Sequence, residues 1–262
     1  MNLSFALIHE IQGLVRAIQE ESAPSRAGPI VVSGMLAEQL ARELGAGAAP
    51  GAVVVGDSTR GVAAEVWVHV MAGEPTADDQ ARVASGDRSG VPVVLVQLWP
   101  QAQWTAPFVL TPFVVECRAG EGFPVEEIGR KIVAASEHWT DLARRIPVLH
   151  DVVSDRLVRT SVVRAALAGA ASGRLGANRP VLTLEQVRTV ARLRALQADA
   201  RSEELPVVAG AAGAAVVLGF LLRGAARRAS ATLPAPLVNA GIAASATWAL
   251  AQGARRGSLF AR

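Results

Sequence analysis

Five short apolar runs punctuate the first half of this chain: PIVVSG at 29–34, AVVVG at 52–56, AEVWVHVM at 64–71, PVVLVQL at 92–98 and the stretch from Pro107 to Cys117. Runs this apolar have no face fit for water, so they read as strands covered on both sides, the signature of a parallel sheet. Helical spacing fills the gaps between them. Gly34 to Gly45 places Met35, Leu36, Leu40 and Leu44 on one face, and the turn GEPT leads into a polar helix from Ala77 to about Asp87. Val125 to Arg145 reads as one long helix carrying Val125, Ile128, Ile132 and Val133. Strand and helix alternating in this way predict an α/β domain over residues 1–146, with helices on both faces of a mostly parallel sheet. Residues 2–20 alternate apolar with polar side chains (His9, Glu10, Arg16, Glu20), which predicts an amphipathic helix and not a cleavable signal peptide.

From Pro147 onward the strand pattern stops. Helical stretches are predicted over 147–172, 183–200, 204–223 and 233–255, with Thr183 and Gln186 spaced as a capping box. This gives a second, all-α domain over 147–262 with a hydrophobic helical hairpin. Charge separates the halves as well: residues 1–150 carry 11 basic and 17 acidic side chains, whereas 151–262 carry 15 basic and 6 acidic. The second half therefore prefers polyanions, although an arginine-rich, lysine-poor balance also follows from codon usage alone. Nucleic acid ranks last among such partners, because no recognition motif accompanies the charge. The single cysteine, Cys117, permits no internal disulfide and no cysteine-based metal site.

The order of the first half resembles the Era-like small GTPases over about residues 28–145. VAAEVWVHVMAGEPTADDQARVASGDRSGVPVVLVQLWP is similar to their stretch from the strand after the DxxG loop, through its helix, to the strand that carries the guanine-recognition motif. FVVECRAGEGFPVEEIGRKI is similar to their last strand, loop and helix. The resemblance implies a P-loop-GTPase-like sheet, yet the residues that would bind nucleotide are missing. A phosphate-binding loop needs G-x-x-x-x-G-K-S/T, whereas PIVVS runs straight into GMLAEQLAREL and the only lysine is the distant Lys131. In GDSTRG, Asp57 is followed by Arg60 where DxxG wants glycine, and the guanine-reading position falls on Gln97 to Pro100, without a carboxylate.

AVVVGDSTRG also resembles the GDSL hydrolase block, with Ser58 as the nucleophile. The histidine and oxyanion blocks of that family have no counterpart, since position 147, where its Asp would precede His150, is proline. The four histidines, His9, His69, His138 and His150, have no ligand spacing, so no metal site is expected. Asp78 and Asp79, like Glu126 and Glu127, read as surface acids at helix starts. Trp99 and Trp104 bracket a proline-rich loop near the nucleotide-reading edge of a GTPase, placing them either as a partner contact or as packing beneath that loop.

RPVLTLEQVRTVARLRAL, the apolar segment from Glu204 to Arg228 and LPAPLVNAGIAASATWALAQGARR together resemble the uncharacterised helical domain of GTPase-associated and YcjF-type inner-membrane proteins. That resemblance covers about 150–256 and implies association with membranes or with a GTPase or other protein partner. Length permits Leu205 to Leu222 and Ala229 to Ala254 to span a bilayer, but alanine and glycine add little hydrophobicity. The expectation is a non-enzymatic, membrane-associated scaffold or regulator, without cofactor or metal, on the cytoplasmic face of the inner membrane or in the cytoplasm. Arg223, Arg227, Arg228, Arg255 and Arg256 would touch anionic lipid. The alternatives are a divergent nucleotide-binding GTPase-like protein and a serine hydrolase at Ser58.

Overall fold

A computed structural model describes residues 27–56, 63–100, 113–171 and 234–255, together with positions 185, 186, 188–190, 192, 193 and 196. Contacts divide the chain into Ser25–Val153 and a second unit made of Ser154–Arg262 with Met1–Pro24. The amphipathic helix expected over 2–20 lies outside the described residues.

The first unit runs β1 (Ile30–Gly34), α1 (Ala37–Leu44), β2 (Val53–Val55), β3 (Val66–Ala72), α2 (Ala77–Ser89), β4 (Val93–Leu98), β5 (Phe113–Cys117), α3 (Val125–Ala135) and α4 (Trp139–Arg145), then a 3-10 turn at Pro147–Leu149. The strands form one sheet in the order β2-β1-β3-β4-β5, with every pair parallel. This is the order of a doubly wound sheet. The chain leaves β1 towards β2 and later leaves β3 in the opposite direction, so right-handed crossovers put their helices on opposite faces. Packing agrees. Val83 of α2 joins Val31, Trp67, Met71, Val93 and Leu95 in one buried cluster, while α1 and α3 touch each other and the strands of the other face. Both faces are therefore covered, as the all-apolar strands require.

One expected element is two. The helix read over Val125–Arg145 breaks after Ala135, where Ser136 turns extended at ψ 138°. The cause lies far off in sequence: Glu65, just before β3, accepts hydrogen bonds from Ser136 Oγ at 2.6 Å and from the His138 amide at 3.0 Å. A carboxylate at the sheet edge thus takes over the donors of the link, and α4 starts in a new direction.

In the second unit α5 (His150–Ala171) enters from the first, and α6 is Ala235–Arg255. They run antiparallel, since Asp155 pairs with Arg255 while Gly169 packs against the Asn239 backbone. The described positions between 185 and 196 are helical and tie to both: Thr189 Oγ1 donates to Ser161 Oγ at 2.7 Å, and Gln186 Nε2 donates to Thr247 Oγ1 at 3.3 Å. Gln186 spends its amide on α6, while Thr183, its expected capping partner, lies outside the described residues. No helix among the described residues is long and apolar enough to cross a membrane. The apolar stretch 205–222 lies outside them.

Candidate functional site at the carboxyl edge of the sheet

In an open parallel sheet, ligands meet the carboxyl ends of the strands where the chain switches direction, here between β1 and β3. Ser33 and His69 sit at that point in direct register across the two strands. They join a chain of buried polar groups. Trp67 Nε1 donates to Ser33 Oγ at 2.8 Å, Ser33 Oγ lies 2.8 Å from His69 Nδ1, and His69 Nε2 lies 2.8 Å from Asp79 Oδ1. The Asp79 carboxylate only accepts, so Nε2 carries the proton and Nδ1 accepts from the serine hydroxyl. Every member is then satisfied.

Asp79 itself is held by a capping box at the start of α2. Its Oδ2 accepts from the Thr76 amide and hydroxyl, and its own amide donates to Thr76 Oγ1. Partial burial pushes its pKa up, but the hydrogen bonds from Thr76 and His69 outweigh that and hold it below the usual carboxylate range. The order serine, histidine, aspartate is that of a hydrolytic triad, but the site geometry opposes that use. Ser33 is 1% exposed and His69 2% exposed, both beneath α2, and the serine oxygen already accepts the indole N–H. A nucleophile has to reach its substrate. The arrangement clamps α2 to the sheet.

Above the clamp, β1 turns into α1 through Met35 and Leu36 alone. The Met35 amide donates to the Val70 carbonyl at 3.0 Å, and Leu36 takes a left-handed conformation at φ 54°. Gly34 has φ 92°, and a Cβ there would strike the Val70 carbonyl. Trp99, just after β4, is also left-handed at φ 51°. Met35, Leu36, Val55 and Trp99 are between 47% and 52% exposed, and all four lie at this edge. Behind Trp99, Gln97 is fully buried; its Nε2 donates to the Gly73 carbonyl at 2.8 Å, while its Oε1 has no hydrogen-bond partner among the described residues.

Of the residues singled out from sequence, Trp99 is half exposed at this edge, while Trp104 and Ser58 lie outside the described residues. Arg255 pairs with Asp155 of α5; Arg223, Arg227, Arg228 and Arg256 lie outside. Asp79 carries more than the helix-start role its position suggested, and the Ser33–His69 contact was not foreseen. Cys117 is buried, and burial, with Glu127 nearby, raises its thiol to about 11. No group of metal-ligating side chains occurs among the described residues. A pocket of about 390 Å³ opens at the opposite, amino edge beside Glu65 and His138, whose hydrogen bonds are already committed to the α3–α4 link. Comparison with known proteins finds no matching family model, curated protein or solved structure, so the geometry of this edge carries the functional argument alone.

Proposed function

We propose that the protein is a non-enzymatic scaffold or regulator, built on a P-loop-GTPase-like domain whose nucleotide site has closed, followed by an all-α domain that holds it at the cytoplasmic face of a membrane. The two-residue link between β1 and α1 carries this reading. A phosphate cradle needs a glycine-rich loop of several residues with free amides and a lysine. Here Met35 and Leu36 occupy that place, and the first of their amides is bonded to β3. The doubly wound parallel sheet supports the Era-like resemblance, and the buried Ser33 speaks against hydrolysis.

Membrane association draws support from α6, which carries no charge before Arg255. Its buried stripe holds Val238, Ala243, Ala246, Leu250 and Ala254, and its exposed stripe is uncharged, with Leu237, Gly241, Ser245 and Trp248. A helix without charge on its outer face, where a leucine and a tryptophan stand exposed, suits an interface with lipid. The arginines around 223–228, in the basic half of the chain, add attraction to anionic head groups. Equilibrium dialysis with magnesium and labelled GTP or ATP tests the closed site: no binding below about 1 mM is expected, and a Kd under about 10 μM, roughly 6.8 kcal/mol, overturns it. Sedimentation with anionic vesicles tests the location, which falls if the protein stays in the supernatant at low salt.

A further inference from the structure

We infer that the carboxyl edge of the sheet is a docking surface for a basic amphipathic helix of a partner protein; this rests on the reading that no nucleotide occupies that edge. Two independent features coincide there. The first is the row of half-exposed apolar side chains: Val55 ends β2, Met35 and Leu36 follow β1, and Trp99 follows β4. From β2 to β4 the row crosses three strand spacings, about 14 Å, which two to three helical turns match. Leu36 and Trp99 hold a left-handed backbone that leucine and tryptophan disfavour, and both present their side chains outward. Strain retained at an exposed apolar position points to a contact that the described residues do not make.

The second feature is charge. Glu38 and Asp78 lie in the first turns of α1 and α2, Glu74 follows β3, and Glu116 and Glu121 lie at and beyond the end of β5. All five are exposed, and Arg118 is the one described base among them. Acids in first helical turns complement the helix dipoles, but Glu74, Glu116 and Glu121 have no such task. An acidic rim repels anionic lipid and nucleic acid, and it steers a cationic partner to the apolar row. The chemistry that fits is a helix with leucine-like residues at i, i+4 and i+7 and arginine or lysine along its flanks.

The test uses the full chain and three fluorescein-labelled synthetic peptides of about 18 residues: leucines at that spacing flanked by arginine, the same leucines flanked by glutamate, and the arginine peptide with serine for leucine. The variants are L36N/W99N and E38K/E74K, with folding checked by circular dichroism. Asparagine tolerates the left-handed region, so L36N/W99N should keep or raise Tm while it weakens the arginine peptide at least tenfold. E38K/E74K and 0.5 M salt should each weaken it severalfold, and the glutamate and serine peptides should bind at least tenfold less tightly. A surface used only for packing would instead lose Tm in L36N/W99N and leave peptide binding unchanged. The inference is overturned by equal affinity for the arginine and glutamate peptides, by absence of saturable binding, or by L36N/W99N losing vesicle binding in place of peptide binding. Labelled GTP is titrated in parallel. GTP that displaces the peptide sinks both the inference and the closed-site reading, whereas a peptide that fails to bind, with GTP also inert, sinks the inference alone.

Discussion

Replacing Ser33 by alanine removes one oxygen and strands two buried groups. Trp67 Nε1–H loses its acceptor and His69 Nδ1 loses its donor, both within the core beneath α2. Neither is relieved by a change of tautomer, because moving the imidazole proton to Nδ1 leaves Asp79 facing an unprotonated Nε2. Each orphaned group costs about 1–3 kcal/mol, so S33A should destabilise the first unit by about 2–6 kcal/mol. Because the chain has two units, hydrogen exchange at the β3 amides reads the right one. A double-mutant cycle sharpens the test. In W67F the indole donor is already gone, so the added cost of S33A should shrink by the cost of one orphaned group, about 1–3 kcal/mol. A cost for S33A below about 0.5 kcal/mol, or strict additivity with W67F, refutes the claim that Ser33 is the shared link of the clamp.

Three further outcomes follow from local geometry. Glu65 is pushed up by burial but held lower overall by Ser136 and His138, and Asp79 is likewise depressed; their stabilisation is full above the ordinary carboxylate range and is lost as pH falls through the depressed values. Urea midpoints should therefore drop below about pH 4, and E65Q, which keeps the shape, should flatten part of that drop; an unchanged profile in E65Q contradicts it. G86A places a Cβ 2.4 Å from Val93 Cγ2 and 3.2 Å from the Trp67 ring, so the clash should outweigh the gain in helix propensity of roughly 1 kcal/mol and lower stability, as measured by thermal unfolding. Cys117, raised to about 11 by burial and by Glu127, should resist a thiol reagent at pH 8 in the native protein and react readily in urea; fast native labelling contradicts its placement.

The strands were legible because each is an apolar run too long to face water, and their all-parallel pairing follows from burial on both faces. The break between α3 and α4 was not, since nothing local in VEEIGRKIVAASEHWTDLARR announces that Glu65 will take the Ser136 and His138 donors. The clamp was hidden for the same reason. Ser33 and His69 stand 36 positions apart, and only the order β2-β1-β3 sets them side by side. A partial signal did exist: a histidine inside VWVHVM has to find partners once buried, and the Thr76 to Asp79 spacing marks a helix start. That no glycine-rich loop follows β1 was readable, because PIVVSGMLAEQL leaves no room for one, but Met35 and Leu36, expected on the apolar face of the helix, instead form a turn before Ala37 and stand half exposed. Half-exposure at Leu36 and Trp99 was less so, as backbone conformation decides which way an apolar side chain beside a strand end points.

The closed turn is tested most directly by a nitrogen-15 amide titration of the full-length protein with magnesium GTP and then magnesium ATP, followed at Gly34, Met35 and Leu36. These amides would line a phosphate cradle if one existed. The account predicts that they stay in place at millimolar nucleotide, with the Met35 amide still bonded to the Val70 carbonyl. Saturable shifts at these three amides, with a Kd below about 10 μM, would contradict it.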